Sequence, residues 1–191
     1  MKQKIKEVIL ASSSPRRLQL LQSLGLSVQS FSPDVDESPL TAESPRDMVI
    51  RLARLKANAV NVLPHIPVIG ADTTVCFETH VLGKPKDKEE AVRILTLLSG
   101  QEHEVLTGYA VKLGSHEEVG CETTKVSFRK LSQDEILAYI QTGEPFDKAG
   151  AYGIQGWGAS LIDQVKGSYT NVMGLPLKEI QAVLRRVLNL D

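Results

Sequence analysis

The sequence predicts an α/β fold, a mixed β-sheet flanked by helices. Three observations lead there. Short apolar runs of strand length alternate with amphipathic segments of helical period through the first hundred or so residues. Two longer β-type segments, 104–113 and 119–131, flank Gly114-Ser115 and read as an antiparallel hairpin, which a purely parallel sheet does not contain. No Gly-rich dinucleotide fingerprint and no phosphate-loop motif follows a strand, which removes the usual all-parallel nucleotide-binding arrangements. With 191 residues, 42% of them hydrophobic, the chain has the size and composition of one large domain, residues 1–191, able to bury a sizeable core.

Val8-Ile9-Leu10-Ala11 is a continuous apolar run, the mark of a buried strand. Ser12-Ser13-Ser14-Pro15 follows at once. A serine cap and a proline at the first helical position start a helix carrying Leu18, Leu21 and Leu24, which Gly25 ends. Residues 28–32 alternate as an edge strand does, and 33–44 are polar and acidic with two prolines, hence a loop. Pro45 opens a second helix, with its apolar stripe expected at Met48, Leu52, Leu55, Ala59 and Val62 and with Arg51, Arg54 and Lys56 off it. Val68-Ile69-Gly70-Ala71-Asp72 is an apolar strand ending in an acid, and 73–78 reads as its continuation or hairpin partner. Asp87 caps a third helix with Ala91, Ile94, Leu95 and Leu98 on one face, stopped by Ser99-Gly100. After the hairpin come a short helix over 132–140, five glycines among residues 143–158 suited to embracing a ligand, a strand over 159–165 and a last amphipathic helix over 176–190.

Composition excludes several partners. Lys plus Arg number 22 against 23 Asp plus Glu, a formal charge of −1, so there is no broadly basic surface for nucleic acid. No apolar stretch approaches the roughly 18 residues of a membrane span. Cys76 and Cys121 stand far apart with no metal-ligand spacing around them and read as buried reduced thiols, which points to the cytoplasm. His65, His80, His103 and His116 lack clustered partners and read as surface or strand residues, and Trp157 as packing or a loop anchor.

Chemistry gathers at a few points. Ser12 to Arg17 sets hydroxyls, unpartnered backbone N–H groups and the guanidiniums of Arg16 and Arg17 at a helix N-terminus directly after a buried strand, a place that favours phosphate; a plain serine-capped surface helix reads equally from these residues alone. Asp72 closes a buried strand, where open α/β sheets bind ligands, and Glu37 in the acidic loop could add a second carboxylate to hold a divalent cation or position a water. Lys56, Lys84 and Lys148 are phosphate-ligand candidates that read also as surface lysines. Gln155, in the Gly-rich stretch, offers an amide able to read the edge of a base or simply to satisfy a turn.

Seven blocks in order resemble the Maf family: Ser12-x-Ser14-Pro15-Arg16-Arg17, Arg51-Leu52-Ala53-x-x-Lys56-Ala57, Gly70-Ala71-Asp72-Thr73, Gly83-Lys84-Pro85, Leu98-Ser99-Gly100, the run from Glu144-Pro145 through Ile154-Gln155-Gly156, and Asn171-Val172-x-Gly174-Leu175-Pro176. The resemblance implies a mixed α/β fold shared with inosine triphosphate pyrophosphatases, a central cleft for a nucleoside triphosphate, metal-dependent hydrolysis to the monophosphate plus pyrophosphate, and a homodimer. Arg16, Thr73 and Gln155 stand at the positions that mark the branch acting on thymidine and uridine triphosphates, as against the branch acting on 7-methylguanosine triphosphate. On this reading Asp72 is the general base, and Mg²⁺ or Mn²⁺ is held by phosphate oxygens with Asp72 and Glu37. Arg17, Lys56, Lys84 and Lys148 clamp phosphates, Ser12 donates to one of them, and Arg16, Thr73 and Gln155 select the base. Two other readings stay open: a nucleotide-sensing regulatory module of cell division, and a pyrophosphatase for other modified nucleotides.

Overall fold

A computed structural model describes residues 7–61 and 64–188. The strands are β1 (Glu7–Ala11), β2 (Ser27–Phe31), β3 (Val68–Phe77), β4 (His80–Leu82), β5 (Glu102–Leu113), β6 (His116–Phe128) and β7 (Ile162–Lys166). The α-helices are α1 (Pro15–Gln22), α2 (Pro45–Asn58), α3 (Lys88–Leu98), α4 (Gln133–Gln141), α5 (Tyr169–Val172) and α6 (Leu177–Val187). The strands pair in the order β2-β1-β3-β5-β6-β7, with β4 on β3. The sheet is mixed: β1 runs parallel to β2 and β3, whereas β3 is antiparallel to β4 and β6 to β7.

Two compact units divide the chain. One comprises Met1–Asp72, Thr107–Glu122 and Gly174–Asp191; the other Thr73–Leu106 and Thr123–Met173. In the first, Ile9, Ala11, Val68 and Ala110 on the strands pack with Ala53 and Ala57 on α2. In the second, the face of α3 carrying Ala91, Ile94, Leu95 and Leu98 joins Ile136, Tyr139 and Ile140 of α4 and the strand residues Val75, Val105, Val126 and Phe128.

Helix starts follow the expected chemistry. Ser14, Ser44 and Asp87 each accept a backbone N–H of the helix they begin, and Ser132 with Glu135 forms a reciprocal capping box. The described part of α6 ends at Val187, and Met1–Lys6, Val62 and Leu190 lie outside the described residues.

Four expectations are corrected. The buried face of α2 is Val49, Leu52, Ala53, Lys56 and Ala57, while Leu55 is 41% exposed and Ala59 lies outside the packed face. The helix presents its small residues to the sheet because Gly70 and Gly108 let backbone meet backbone there, and alanines signal an apolar face more weakly than leucine does. The segment 159–161 is not strand: a 3-10 helix spans Gly156–Leu161 and β7 begins at Ile162. Trp157 packs on little, being 71% exposed, and Cys121 is only half-buried.

His103 stands on β5, a strand residue as expected, and is buried there. It is 2% exposed, with Nε2 2.7 Å from the Tyr152 hydroxyl and its ring set edge-on against Phe128 and Tyr152. Burial pulls its pKa down to about 4, against a small opposing pull from Glu102, and Nδ1 has no hydrogen-bond partner to receive a second proton. The folded protein therefore takes up this proton near pH 4 and the unfolded chain near 6.5. Between those values the unfolded state binds more protons, so acid favours unfolding. We expect stability to be full above pH 6.5 and to fall by about 3 kcal/mol on going to pH 4 through this residue. Urea unfolding across that range reads it, and His103→Leu should remove that part of the slope; an unchanged slope would show that other groups carry it.

Candidate active site

β1 and β3 run side by side, with Ala11 opposite Gly70, so Ser12 and Asp72 emerge together where β1 stops. β1 ends here, whereas β3 runs on to Phe77, so Asp72 stands in mid-strand and does not close its strand as expected; the carboxyl end of β1 is still where α/β sheets present ligand groups. Gly70 shares a face of β3 with Asp72, two residues on, and that face looks at α2: a Cβ at 70 would run into the Ala53 carbonyl oxygen and stand 2.8 Å from Ala57 N. The close approach brings Lys56, on the same helix face, to Asp72.

Lys56 is 8% exposed, and its ammonium lies 2.7 Å from Asp72 Oδ1 and 2.8 Å from Glu37 Oε1. A buried lysine needs such partners, since an ammonium removed from water without compensation costs several kcal/mol. Glu37 reaches it from the exposed loop.

Arg17, in the first turn of α1, is held on three sides: Nε donates to Gly174 O at 2.7 Å, and Nη1 to Ala71 O at 2.9 Å and Ser12 Oγ at 3.1 Å. Burial pulls its pKa down, Asp72 and Glu37 push it back up and Arg16 adds to the lowering; a guanidinium stays charged at neutral pH regardless. Ser12 Oγ also accepts from Ser14 N at 3.2 Å. With two bonds accepted, the Ser12 hydroxyl keeps its own proton to donate. The result is a helix N-terminus, a fixed guanidinium and a hydroxyl beside a buried ammonium and two carboxylates, suited to holding an anion while a carboxylate takes a proton.

The structure thus brings together Ser12, Arg17, Glu37, Lys56 and Asp72, all in the first unit, with Arg16 half-buried beside Arg17 on the same helix. Lys56 was expected off the helix's apolar face, as a surface lysine or phosphate ligand, and proves to be the buried centre of the cluster. Thr73, Lys84, Lys148 and Gln155 belong to the second unit. Thr73 is half-buried on β3, and Lys84 is exposed. Gly150 N donates to Gly83 O at 3.1 Å, which ties the Lys84 segment to the Gly-rich stretch carrying Lys148. The Lys148 ammonium donates to Glu144 O and Asp147 Oδ1, each at 2.6 Å, so it staples its own loop. Gln155 is exposed at the start of the 3-10 helix.

One organising residue escaped the sequence reading. Glu144 accepts from Trp157 N at 3.0 Å, Gly158 N at 3.1 Å and the Tyr139 hydroxyl at 3.2 Å, shaping the loop that presents Gln155. Its signal was only its place in a resembling block. Burial, with Glu144 adding to it, pushes the Tyr139 phenol up, so it stays a donor.

A family profile described as Maf-like protein matches residues 7–187, which include every site residue named above. The chain belongs to the Maf family. A Maf relative from Symbiobacterium thermophilum, called dTTP/UTP pyrophosphatase, is 51% identical over 91% of this chain and 90% of its own. Another of the same name, from a Geobacillus species, is 48% identical over 96% and 99%. Among solved structures, the Ham1 protein of Staphylococcus aureus aligns with a TM-score of 0.54 at 17% identity, covering 94% of this chain and 98% of that one. A HAM1 protein from Coxiella burnetii gives 0.55 at 16% over 95% and 99%. At such identity these two speak for the fold alone, and it is the fold expected for this Maf protein.

Proposed function

We propose that this Maf protein is a nucleoside triphosphate pyrophosphatase that hydrolyses dTTP and UTP to the monophosphate plus pyrophosphate. The observation that carries the reading is the Lys56 ammonium buried between Asp72 and Glu37 beside the α1 N-terminus, in a chain that shares about half its residues with relatives named for that activity.

Asp72 acts as general base, accepting a proton from a water whose oxygen attacks the α-phosphorus. The bond from that phosphorus to the bridging oxygen breaks, and pyrophosphate leaves with the electron pair. Arg17 and the α1 N–H groups hold phosphate oxygens, Ser12 donates to one, and Lys56 balances the charge of Asp72, Glu37 and the nearby phosphate; Lys84 and Lys148 clamp the outer phosphates. Arg16, Thr73 and Gln155 select the base.

Asp72 and Glu37 suit a hard divalent cation: both present carboxylate oxygens, and both converge on the Lys56 ammonium within 2.8 Å. No group of three or more His, Cys, Asp or Glu able to hold a metal gathers among the described residues, so Mg²⁺ or Mn²⁺ would take its other ligands from phosphate and water. Such an ion supplies charge neutralisation on the departing pyrophosphate. No helix among the described residues is long and apolar enough to cross a membrane, and the reading places the enzyme in the cytoplasm as a homodimer.

The test is pyrophosphate release from dTTP, UTP, CTP, GTP, ATP, 7-methyl-GTP and 5-methyl-UTP with Mg²⁺ or Mn²⁺. Fast release from dTTP and UTP is expected; binding without release from any of them would make the protein a sensor. Gln155→Ala should lower kcat/KM for dTTP and UTP on the order of 10-fold or more, with smaller effects on purine triphosphates, as loss of an amide that reads a base edge requires. Equal losses on all substrates would remove Gln155 from base selection.

A further inference from the structure

Glu37 sits in a loop that apolar burial does not anchor: residues 36–42 are all exposed, and Leu40 turns outward. A carboxylate on such a segment samples many positions unless polar contacts restrain it. The restraint comes from Arg51 on α2. Its Nε and Nη2 meet Glu43 Oε1 and Oε2 at 2.6 and 2.7 Å, a two-pronged pair, and Nη2 also donates to Ser38 O at 3.1 Å. Arg51 thus grips the loop at Ser38, immediately after Glu37, and again at Glu43. The second oxygen of Glu43 accepts from Leu40 N, which closes the turn between the two grips.

We propose that Arg51 and Glu43 are positioning residues: their ion pair pins the acidic loop to α2 so that Glu37 stays on the Lys56 ammonium, which in turn faces Asp72. Arg51 and Lys56 stand on the same helix, five residues apart, so one rigid element carries both the pin and the group the loop must meet. Isolated surface pairs contribute little, but a two-pronged arginine–carboxylate pair with a third bond to the backbone is the geometry in which they do matter. Both groups are half-buried, and Arg51 holds the Glu43 carboxyl below its usual range, so the pair persists into acid.

The proposal rests on the pyrophosphatase reading for its effect on turnover, and a double-mutant cycle tests it. Arg51→Gln and Glu43→Gln should each lower kcat for dTTP on the order of 10-fold, as small misplacements of reacting groups do. If Arg51 acts through Glu37, adding Arg51→Gln to Glu37→Gln should cost nothing more. Additive losses would overturn the proposal, since they would mean a direct substrate contact or a general weakening of the fold. A second measurement needs no activity: amide exchange at Ser38, Leu40 and Glu43 should speed up in Arg51→Gln while α2 stays protected. Unchanged exchange overturns the pin. If the wild type releases no pyrophosphate from any triphosphate, the functional reading falls and amide exchange alone decides whether the loop is pinned.

Discussion

Asp72→Asn should lower kcat for dTTP and UTP on the order of 10³-fold, within the range that a general base contributes, while the protein stays folded. The substitution keeps an oxygen where Oδ1 accepts from Lys56 at 2.7 Å, so the buried ammonium retains that acceptor and also Glu37 at 2.8 Å. What disappears is the carboxylate able to take a proton from water. Asp72→Ala serves as the contrast. It removes the acceptor as well, leaves Lys56 with Glu37 from the exposed loop, and should cost about 3 kcal/mol of stability as a broken buried pair does. Pyrophosphate release and thermal unfolding on both variants separate the two roles. Turnover by Asp72→Asn at the wild-type rate would end the assignment of the base; an Asp72→Ala as stable as wild type would mean that water reaches Lys56.

The first serine cap, the Asp87 cap, the apolar runs and the hairpin turn were legible because each is a local signal: Ser14 and Asp87 act on N–H groups three residues away. The face of α2 was not legible in this way. Leu55 looks more apolar than Ala53 or Ala57, and only the glycines on β3 and β5, distant in sequence, decide which side of the helix meets the sheet. His103 was legible as a strand residue, but its buried polar contact was not, since its partner Tyr152 lies 49 residues away. In the site, the residues from Ser12 to Arg17 could be picked out by their place after a buried strand, and Asp72 as the acid after an apolar run, although β3 carries on past it. Lys56 could be named as a candidate, but its burial depends on two acids 16 and 19 positions off in sequence, and Arg51 looked like any solvated helix arginine.

A steep loss of both stability and activity from a single methyl group should come at Gly70. In Gly70→Ala the new Cβ meets the Ala53 carbonyl oxygen, Ala57 N at 2.8 Å and Ala57 Cβ at 3.0 Å, and helix backbone cannot swing aside as a side-chain tip can. α2 must back away from β3, opening the packing around Ala53 and Ala57, both fully buried. Overpacking costs about 1–3 kcal/mol, and a clash with rigid backbone belongs at the upper end; in a protein of this size that is a fall in Tm of roughly 6–12 °C. The same displacement carries Lys56 away from Asp72, so kcat for dTTP should drop about 10²-fold. Gly25→Ala is the control: φ there is +76° and nothing stands within 4 Å, so it should lose about 1 kcal/mol from backbone strain with kcat unchanged. A Gly70→Ala enzyme with lowered Tm but full kcat would mean that the seat of α2 on β3 stabilises the unit without setting the ammonium against the base.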